Sequence, residues 1–382
     1  MPEERARPLR ILHVLRAPVG GLFRHVVDLA RGQIARGHHV GLTLDARSGG
    51  TRAQAALAEL EPHLGLGLSR VAMSRHIGWR DISAFRHVAR RVAEAALDVV
   101  HGHGAKGGAY ARLVRGPAVR AYTPHGGSLH FDRRSPLGFA YLMLERVLAG
   151  RTELLLLESA YARDAFLAKV GGIGGIARVV HNGVTAAEFE PIDSKAEAAD
   201  FVFVGELRAL KGVHVLIEAL AELAATGRRA RIVIVGSGPD AKSLAALARV
   251  RRVDLLVRFQ EPLPGREAFG LGRVLVVPSL AESLPYVVLE AAAAAVPLLA
   301  TAVGGIPEIF GPHRGRLLPP GDAAALTGAM ARALDDPGAQ YAAALELRER
   351  VRAAFSADRM VEEVLAAYAA ALARPHAKPP AN

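Results

Sequence analysis

The chain has 382 residues, 51% hydrophobic and 22% charged, with no cysteine and a net charge of +11. That length suits two domains of ordinary size, and the lack of cysteine excludes disulfides, thiolate nucleophiles and Cys-ligated zinc or iron centres. Residues 1–192 hold 26 Lys and Arg against 16 Asp and Glu, and residues 193–382 hold 22 against 21, so the basic excess sits in the first half and points to an anionic surface, phospholipid or nucleic acid.

The opening MPEERARPLR lacks an apolar signal core and runs into the strand-like ILHVL; no secretory segment is expected, and the cytoplasm is the expected location. Strands are read at Leu9–Leu15, Val40–Asp45, Arg70–Met73, Val99–His101, Val119–Tyr122, Leu154–Leu157 and Arg178–Val180. Helix-period segments fill most of the gaps, among them Ile82–Leu97 and Leu137–Leu148. After the polar PIDSKAEAAD the pattern restarts, with strands at Phe201–Val204, Ile232–Val235, Leu256–Phe259, Val274–Val277, Leu298–Ala300 and Arg316–Leu318. A helix is read over Arg348–Leu372, followed by a frayed tail. Alternating strands and helices specify parallel sheets flanked by helices, and two such units in series place a ligand cleft at the carboxyl ends of their strands. The expected division is 1–192, 193–350 and a C-terminal helix in 351–382 that crosses back to the first domain. The apolar stretch 287–306 is interrupted by Glu290, Pro297 and a glycine pair, too broken to span a bilayer.

The most informative segment, VPSLAESLPYVVLEAAAAAVPLLATAVGGIPEIF, ends a strand, presents Glu282 in a loop, enters a helix near Leu284 and presents Glu290 in its second turn. The helix N-terminus is suited to an anion such as a diphosphate. In FVFVGELRALKGVHVLIEAL a strand ends at Gly205, and the following loop carries Arg208 and Lys211, cations able to neutralise a leaving diphosphate. IVIVGSGPD adds a strand-to-helix turn with Gly236 and Gly238. In the first half, Gly20 and Gly21 permit close backbone approach to a ligand, and AYTPHGGSL sets His125 just after a strand. His101, His103 and Lys106 in VVHGHGAKGG are candidates for the acceptor side.

These segments resemble the group 1 glycosyltransferases, family 4 of the sequence-based classification, which have the GT-B fold of two Rossmann-like doubly wound domains. The resemblance extends through HNGV at 181–184 and is strongest over 200–310. It implies that Glu290 bonds the donor ribose, that Glu282 and His125 meet the donor sugar, and that Lys211 grips the diphosphate. The family's arginine falls on Glu206 here, and Arg208, two positions later, is read as its replacement. Gly20, Gly21, Gly205, Gly236, Gly238, Leu284, Tyr286 and Val287 are assigned to the donor. The implied reaction is retaining transfer of a sugar from a nucleoside-diphosphate donor, UDP or GDP, to a glycan or lipid-linked acceptor in cell-envelope polysaccharide or glycolipid synthesis. No cofactor is expected.

Gly102, Gly104 and Gly107 also satisfy the dinucleotide fingerprint, but not at the first strand-to-helix turn. His101 and His103 have no third metal ligand nearby in sequence, and no Asp-x-Asp occurs, so no metal is expected. The basic first half, with Arg86, Arg90 and Arg91 beside Phe85 and Val88, and Arg133 and Arg134 beside Phe131, suggests peripheral binding to the inner face of the membrane; a chain with one Trp and few Tyr offers no aromatic platform for nucleic acid. A sugar-nucleotide epimerase or hydrolase of the same fold, and a non-catalytic basic membrane-binding module, are the alternatives.

Overall fold

A computed structural model describes residues 7–74, 78–127, 133–192 and 197–374. The chain divides into two compact units, 1–182 with 357–382, and 183–356.

The first unit is a seven-stranded parallel sheet built from β1 (Arg10–Leu15), β2 (His39–Asp45), β3 (Leu68–Val71), β4 (Val99–His103), β5 (Val119–Thr123), β6 (Leu154–Leu157) and β7 (Ile176–Val179). The strand order is β3-β2-β1-β4-β5-β6-β7. The direction of winding therefore reverses between β1 and β4, and the loops leaving those two strands open the crevice where such sheets take ligands. Strand periodicity sorts the side chains: Leu12 and Val14 pack toward α3 (Arg80–Glu94) and α4 (Gly104–Leu113). Ile11 packs toward α1 (Gly20–Ala35) and α14 (Ala357–Leu372), where it meets Leu29, Met360, Val361 and Val364. Each such fully buried side chain contributes roughly 1.5–3 kcal/mol, so α14 is an integral layer of this unit.

The second unit is a five-stranded parallel sheet of β8 (Ala199–Val204), β9 (Ile232–Val235), β10 (Val257–Gln260), β11 (Gly272–Val277) and β12 (Leu298–Ala300), ordered β10-β9-β8-β11-β12. Its winding reverses between β8 and β11. On its faces lie α7 (Val213–Ala225), α8 (Ala241–Val250), α10 (Tyr286–Ala293), α12 (Ala323–Asp335) and α13 (Pro337–Ala354).

Three expectations are corrected. No sixth strand forms at 316–318: Pro312 at the start of a 3-10 turn over Gly311–Arg316 carries the chain another way, and only a single bridge, Thr301 to Leu318, remains. The helix read over 348–372 is two helices, because Phe355 gives its carbonyl to Val184 N–H at 2.9 Å and Ser356 pairs with Val184 in a bridge. The units part at 182/183 and 356/357, not at 192/193 and 350/351. Val184 is buried in the second core, Phe189 and Ile192 pack against it, and Arg266 and Arg348 hold the carbonyls of Glu188, Glu190, Pro191 and Phe189.

Candidate active site

In the second unit the loops after β8 and β11 meet at the reversal of winding. Lys211 ends a short 3-10 turn and its Nζ donates to Glu282 Oε1 at 2.6 Å; Ser279 Oγ donates to the same oxygen at 2.7 Å. Glu282 is buried and Lys211 half-buried, so the pair is partly withdrawn from water and its charges are weakly screened. Gly212 makes the approach possible: its φ is +68°, and a Cβ there would sit 1.9 Å from the Pro278 carbonyl oxygen. Leu280 N–H and Ala281 N–H both bond Leu210 O, stitching the two loops together. The β9 loop joins them through Leu207 N–H to Ser237 O at 2.9 Å and Asp240 N–H to Leu207 O at 3.0 Å, which places Gly236 and Gly238 beside Gly205 and Leu207.

Glu290 lies in the second turn of α10, half-buried, and a Cβ on Gly265 would be 3.0 Å from its Oε2. Leu284 and Tyr286 are buried, Leu284 within the core, while Val287 is half-buried. Arg208 is exposed and directed at Glu206 Oε2, 3.4 Å away. The cation two positions beyond the family site is thus paired with the carboxylate that occupies that site.

In the first unit a cavity of about 690 Å³ opens at the ends of β1, β4 and β5. Its polar wall is formed by Arg16, Asp81, His103, Lys106, Tyr110 and His125, and its apolar wall by Ile82, Phe85, Leu113, Tyr141 and Leu144 among others. Burial works to raise the Asp81 carboxyl, but hydrogen bonds from Lys106, Tyr110 and the Gly78 N–H hold it below the usual carboxylate range. Beneath the cavity, Arg112 Nη1 pairs with Glu145 Oε2 at 2.8 Å, and the guanidinium stacks 3.7 Å from the centre of the Tyr122 ring. Gly20 and Gly21 lie exposed in the first turn of α1, with Val19 and Leu22 beside them lining the cavity. The glycines of the fingerprint-like run serve packing: a Cβ on Gly107 would stand 2.1 Å from the Val14 carbonyl oxygen, so α4 rides directly on β1.

Five histidines gather at the cavity, His103 and His125 in its wall and His13, His25 and His101 behind them, all but His125 buried. His13 Nδ1 lies 2.9 Å from His103 Nε2, His13 Nε2 2.8 Å from Gln33 Oε1, and His103 Nδ1 3.1 Å from His125 Nε2. His101 is engaged separately by Tyr368 Oη at 2.7 Å and Thr123 Oγ1 at 2.8 Å, and His25 Nδ1 by Asn182 Oδ1 at 3.0 Å. Burial pushes His13 and His25 down to about 4 and the other three well below the ordinary histidine value.

Of the acceptor-side candidates, His103 and Lys106 line the cavity, while His101 is turned away from it toward α14. The lack of a third metal ligand, read from spacing, does not survive folding: His13, His101 and His103, and again His25, His103 and His125, bring ligand-capable nitrogens within 4.8 Å of one another. Sequence reading missed His13, His25, Gln33, Asp81, Tyr110 and Ser279. A signal existed for His13, a polar residue inside the apolar run ILHVL, because a buried polar group must be hydrogen-bonded.

The candidate membrane contacts separate. Arg86 and Arg90 are exposed, whereas Val88 is fully buried, Phe85 lines the cavity and Arg91 donates to the Leu66 carbonyl. Arg133 and Arg134 are exposed, and Phe131 lies outside the described residues. Among the described residues no helix is long and apolar enough to cross a membrane.

Comparison with known proteins gives the same picture. Residues 198–336 match the family described as "Glycosyl transferases group 1", and residues 19–188 match "Glycosyltransferase Family 4". The putative teichuronic acid biosynthesis glycosyltransferase TuaC of Bacillus subtilis is 30% identical, over 71% of this chain and 72% of its own. Glycogen synthase of Mycobacterium tuberculosis is 29% identical, over 92% of each chain. Among solved structures, sucrose-phosphate synthase from Thermosynechococcus elongatus superimposes with a TM-score of 0.79 at 20% identity, covering 94% of this chain and 98% of that one. Anabaena Alr3699/HepE in complex with UDP-glucose does so with a TM-score of 0.76 at 18% identity, covering 95% and 100%. The two parallel-sheet units are those of the GT-B fold, and the chain belongs to the group 1 glycosyltransferases of family 4.

Proposed function

We propose that this glycosyltransferase is a retaining, metal-independent enzyme that moves a sugar from a nucleoside-diphosphate donor, UDP or GDP, to a glycan or lipid-linked acceptor in cell-envelope polysaccharide or glycolipid synthesis. The observation that carries the reading is the Lys211–Glu282–Ser279 cluster at the reversal of winding in the second sheet. A sugar leaving a diphosphate puts negative charge on the phosphate oxygen, and an ammonium held in a partly dry loop stabilises that charge without metal. Lys211 provides the ammonium, Glu282 binds the donor sugar, and Glu290 takes the ribose. In a retaining displacement the leaving phosphate itself accepts the acceptor proton, so the protein's task is orientation and charge stabilisation. Anabaena Alr3699/HepE, a neighbour in fold, is described in complex with UDP and with UDP-glucose.

The cavity of the first unit favours transfer over epimerisation, since an epimerase needs no acceptor pocket. Its Asp81, Lys106 and Tyr110 suit the hydroxyls of a glycan, and its apolar wall suits a hydrocarbon portion. Peripheral membrane binding is part of the same proposal. Its support is α5 (Pro136–Ala149), which exposes Leu137, Phe139, Met143 and Val147 close in sequence to Arg133 and Arg134, the combination that binds an anionic lipid surface.

The test is product analysis by NMR with a panel of UDP- and GDP-sugars and lipid-linked or glycan acceptors, in EDTA. Product with the anomeric configuration of the donor, formed only when acceptor is present, is expected. Inverted product, loss of turnover in EDTA, or an isomerised sugar without acceptor each overturns the part of the reading it addresses.

A further inference from the structure

The buried histidines form a directed hydrogen-bonded chain. At its inner end the Gln33 carboxamide, oriented with Oε1 toward the ring, lies 2.8 Å from His13 Nε2, and in that orientation the nitrogen carries the proton. Burial keeps His13, His103 and His125 neutral at physiological pH, and a neutral imidazole has one N–H and one lone pair. His13 Nδ1 is therefore bare and accepts from His103 Nε2–H at 2.9 Å; His103 Nδ1 is bare in turn and accepts from His125 Nε2–H at 3.1 Å. The direction chosen at Gln33 is inherited by every ring. His101 lies 3.9 Å from His103 between ring centres, with the rings tilted, but bonds Tyr368 and Thr123 instead, so it does not branch the chain. The outer ring, His125, lines the cavity, and its Nδ1 makes no hydrogen bond among the described residues. Its backbone is fixed as well, at a φ of +51° just after β5.

We propose that Gln33, His13 and His103 are positioning residues that hold His125 with its proton on Nε2 and a lone pair on Nδ1, so that His125 accepts a hydrogen bond from a sugar hydroxyl rather than donating one. The hydroxyl partner rests on the proposed sugar transfer; the tautomer does not. The consequence is selectivity: an acceptor at this point favours a substrate that offers a hydroxyl and disfavours one in which it is methylated or removed, because the His125 lone pair would go unpaired against the bound sugar.

The experiment is NMR of the full chain carrying 15N-labelled histidine, which reads the protonated nitrogen of each ring, followed by titration with the donor sugar nucleotide and its deoxy analogues. His13, His103 and His125 are expected to be neutral with the proton on Nε2. In Gln33→Met, which removes the acceptor at similar volume, His125 is expected to populate the Nδ1–H form and sugar affinity to fall about three- to tenfold, the worth of one neutral hydrogen bond. A native His125 protonated on Nδ1, an unaltered tautomer in Gln33→Met, or zinc taken up by these rings would each overturn the proposal. If Gln33→Met does not fold, the native spectrum decides. Because the spectra need no substrate, the chain stands or falls separately from the reading of the transfer site.

Discussion

Lys211 Nζ and Glu282 Oε1 lie 2.6 Å apart although 71 positions separate them in sequence. The two side chains come from the loops that follow β8 and β11, the strands between which the winding of the second sheet reverses. On the proposed reading, a donor diphosphate competes with Glu282 for the ammonium. Lys211→Ala is expected to raise the barrier to transfer by about 2–4 kcal/mol, a loss of roughly 30- to 900-fold in kcat. An unchanged kcat in steady-state assays would reduce Lys211 to a structural partner of Glu282.

Arg208 is held by Glu206 at 3.4 Å in an exposed setting, where ion pairs contribute at most about 1 kcal/mol. Donor binding can break this pair cheaply. Glu206→Ala is expected to tighten nucleoside diphosphate binding severalfold, and Arg208→Ala to weaken it by less than Lys211→Ala lowers turnover. Identical affinities for wild type and both variants in calorimetric titration would remove Arg208 from the donor site.

The fully buried Arg112–Glu145 pair under the cavity makes a separate prediction. Taking away one partner strands a charge in the interior, at a cost of about 3–5 kcal/mol, whereas replacing both by apolar residues is often neutral. Glu145→Ala should therefore melt well below wild type, and Arg112→Met with Glu145→Leu should recover most of the loss. A double variant no more stable than the single one would contradict this account of the pair.

Stability should also fall on acidification. His13 and His25 have pKa values lowered to about 4 in the folded state, against about 6.5 when unfolded. Below pH 6.5 the unfolded chain takes up protons that the native chain does not, so stability present above that pH is lost as pH drops toward 4. The slope is on the order of 1.4 kcal/mol per pH unit for each histidine. Thermal melts between pH 7 and 4.5 measure it; a flat profile would mean that these rings are protonated or solvated in the native state.

The loops of the proposed donor side could be placed from the sequence because they are contiguous with recognisable strands. Lys211, Gly236, Gly238 and Glu282 lie in loops that follow strands with unmistakable apolar runs, Glu290 lies in the helix after one of those loops, and parallel sheets bring strand ends together by rule. The first unit was less legible. His13 and His103 sit inside or at the end of strands, and Gln33 faces inward from α1; their meeting depends on sheet order and on helix packing, which no local pattern encodes. Tyr368, from the last helix, reaches His101 across 267 positions. The false strand at 316–318 gave way to the 3-10 turn over Gly311–Arg316, and the fused helix over 348–372 was split by the pairing of Phe355 and Ser356 with Val184, neither of which local propensity decides.

The central claim is that the second unit holds a nucleoside diphosphate through Lys211. Calorimetric titration of the full chain with UDP, GDP and ADP, in EDTA, tests it directly. One of the three is expected to bind with saturable heat, and Lys211→Ala to weaken that binding about tenfold or more, as loss of a charge-assisted contact of about 1.5–3 kcal/mol requires. No binding of any of the three, or equal affinity in Lys211→Ala, would contradict it.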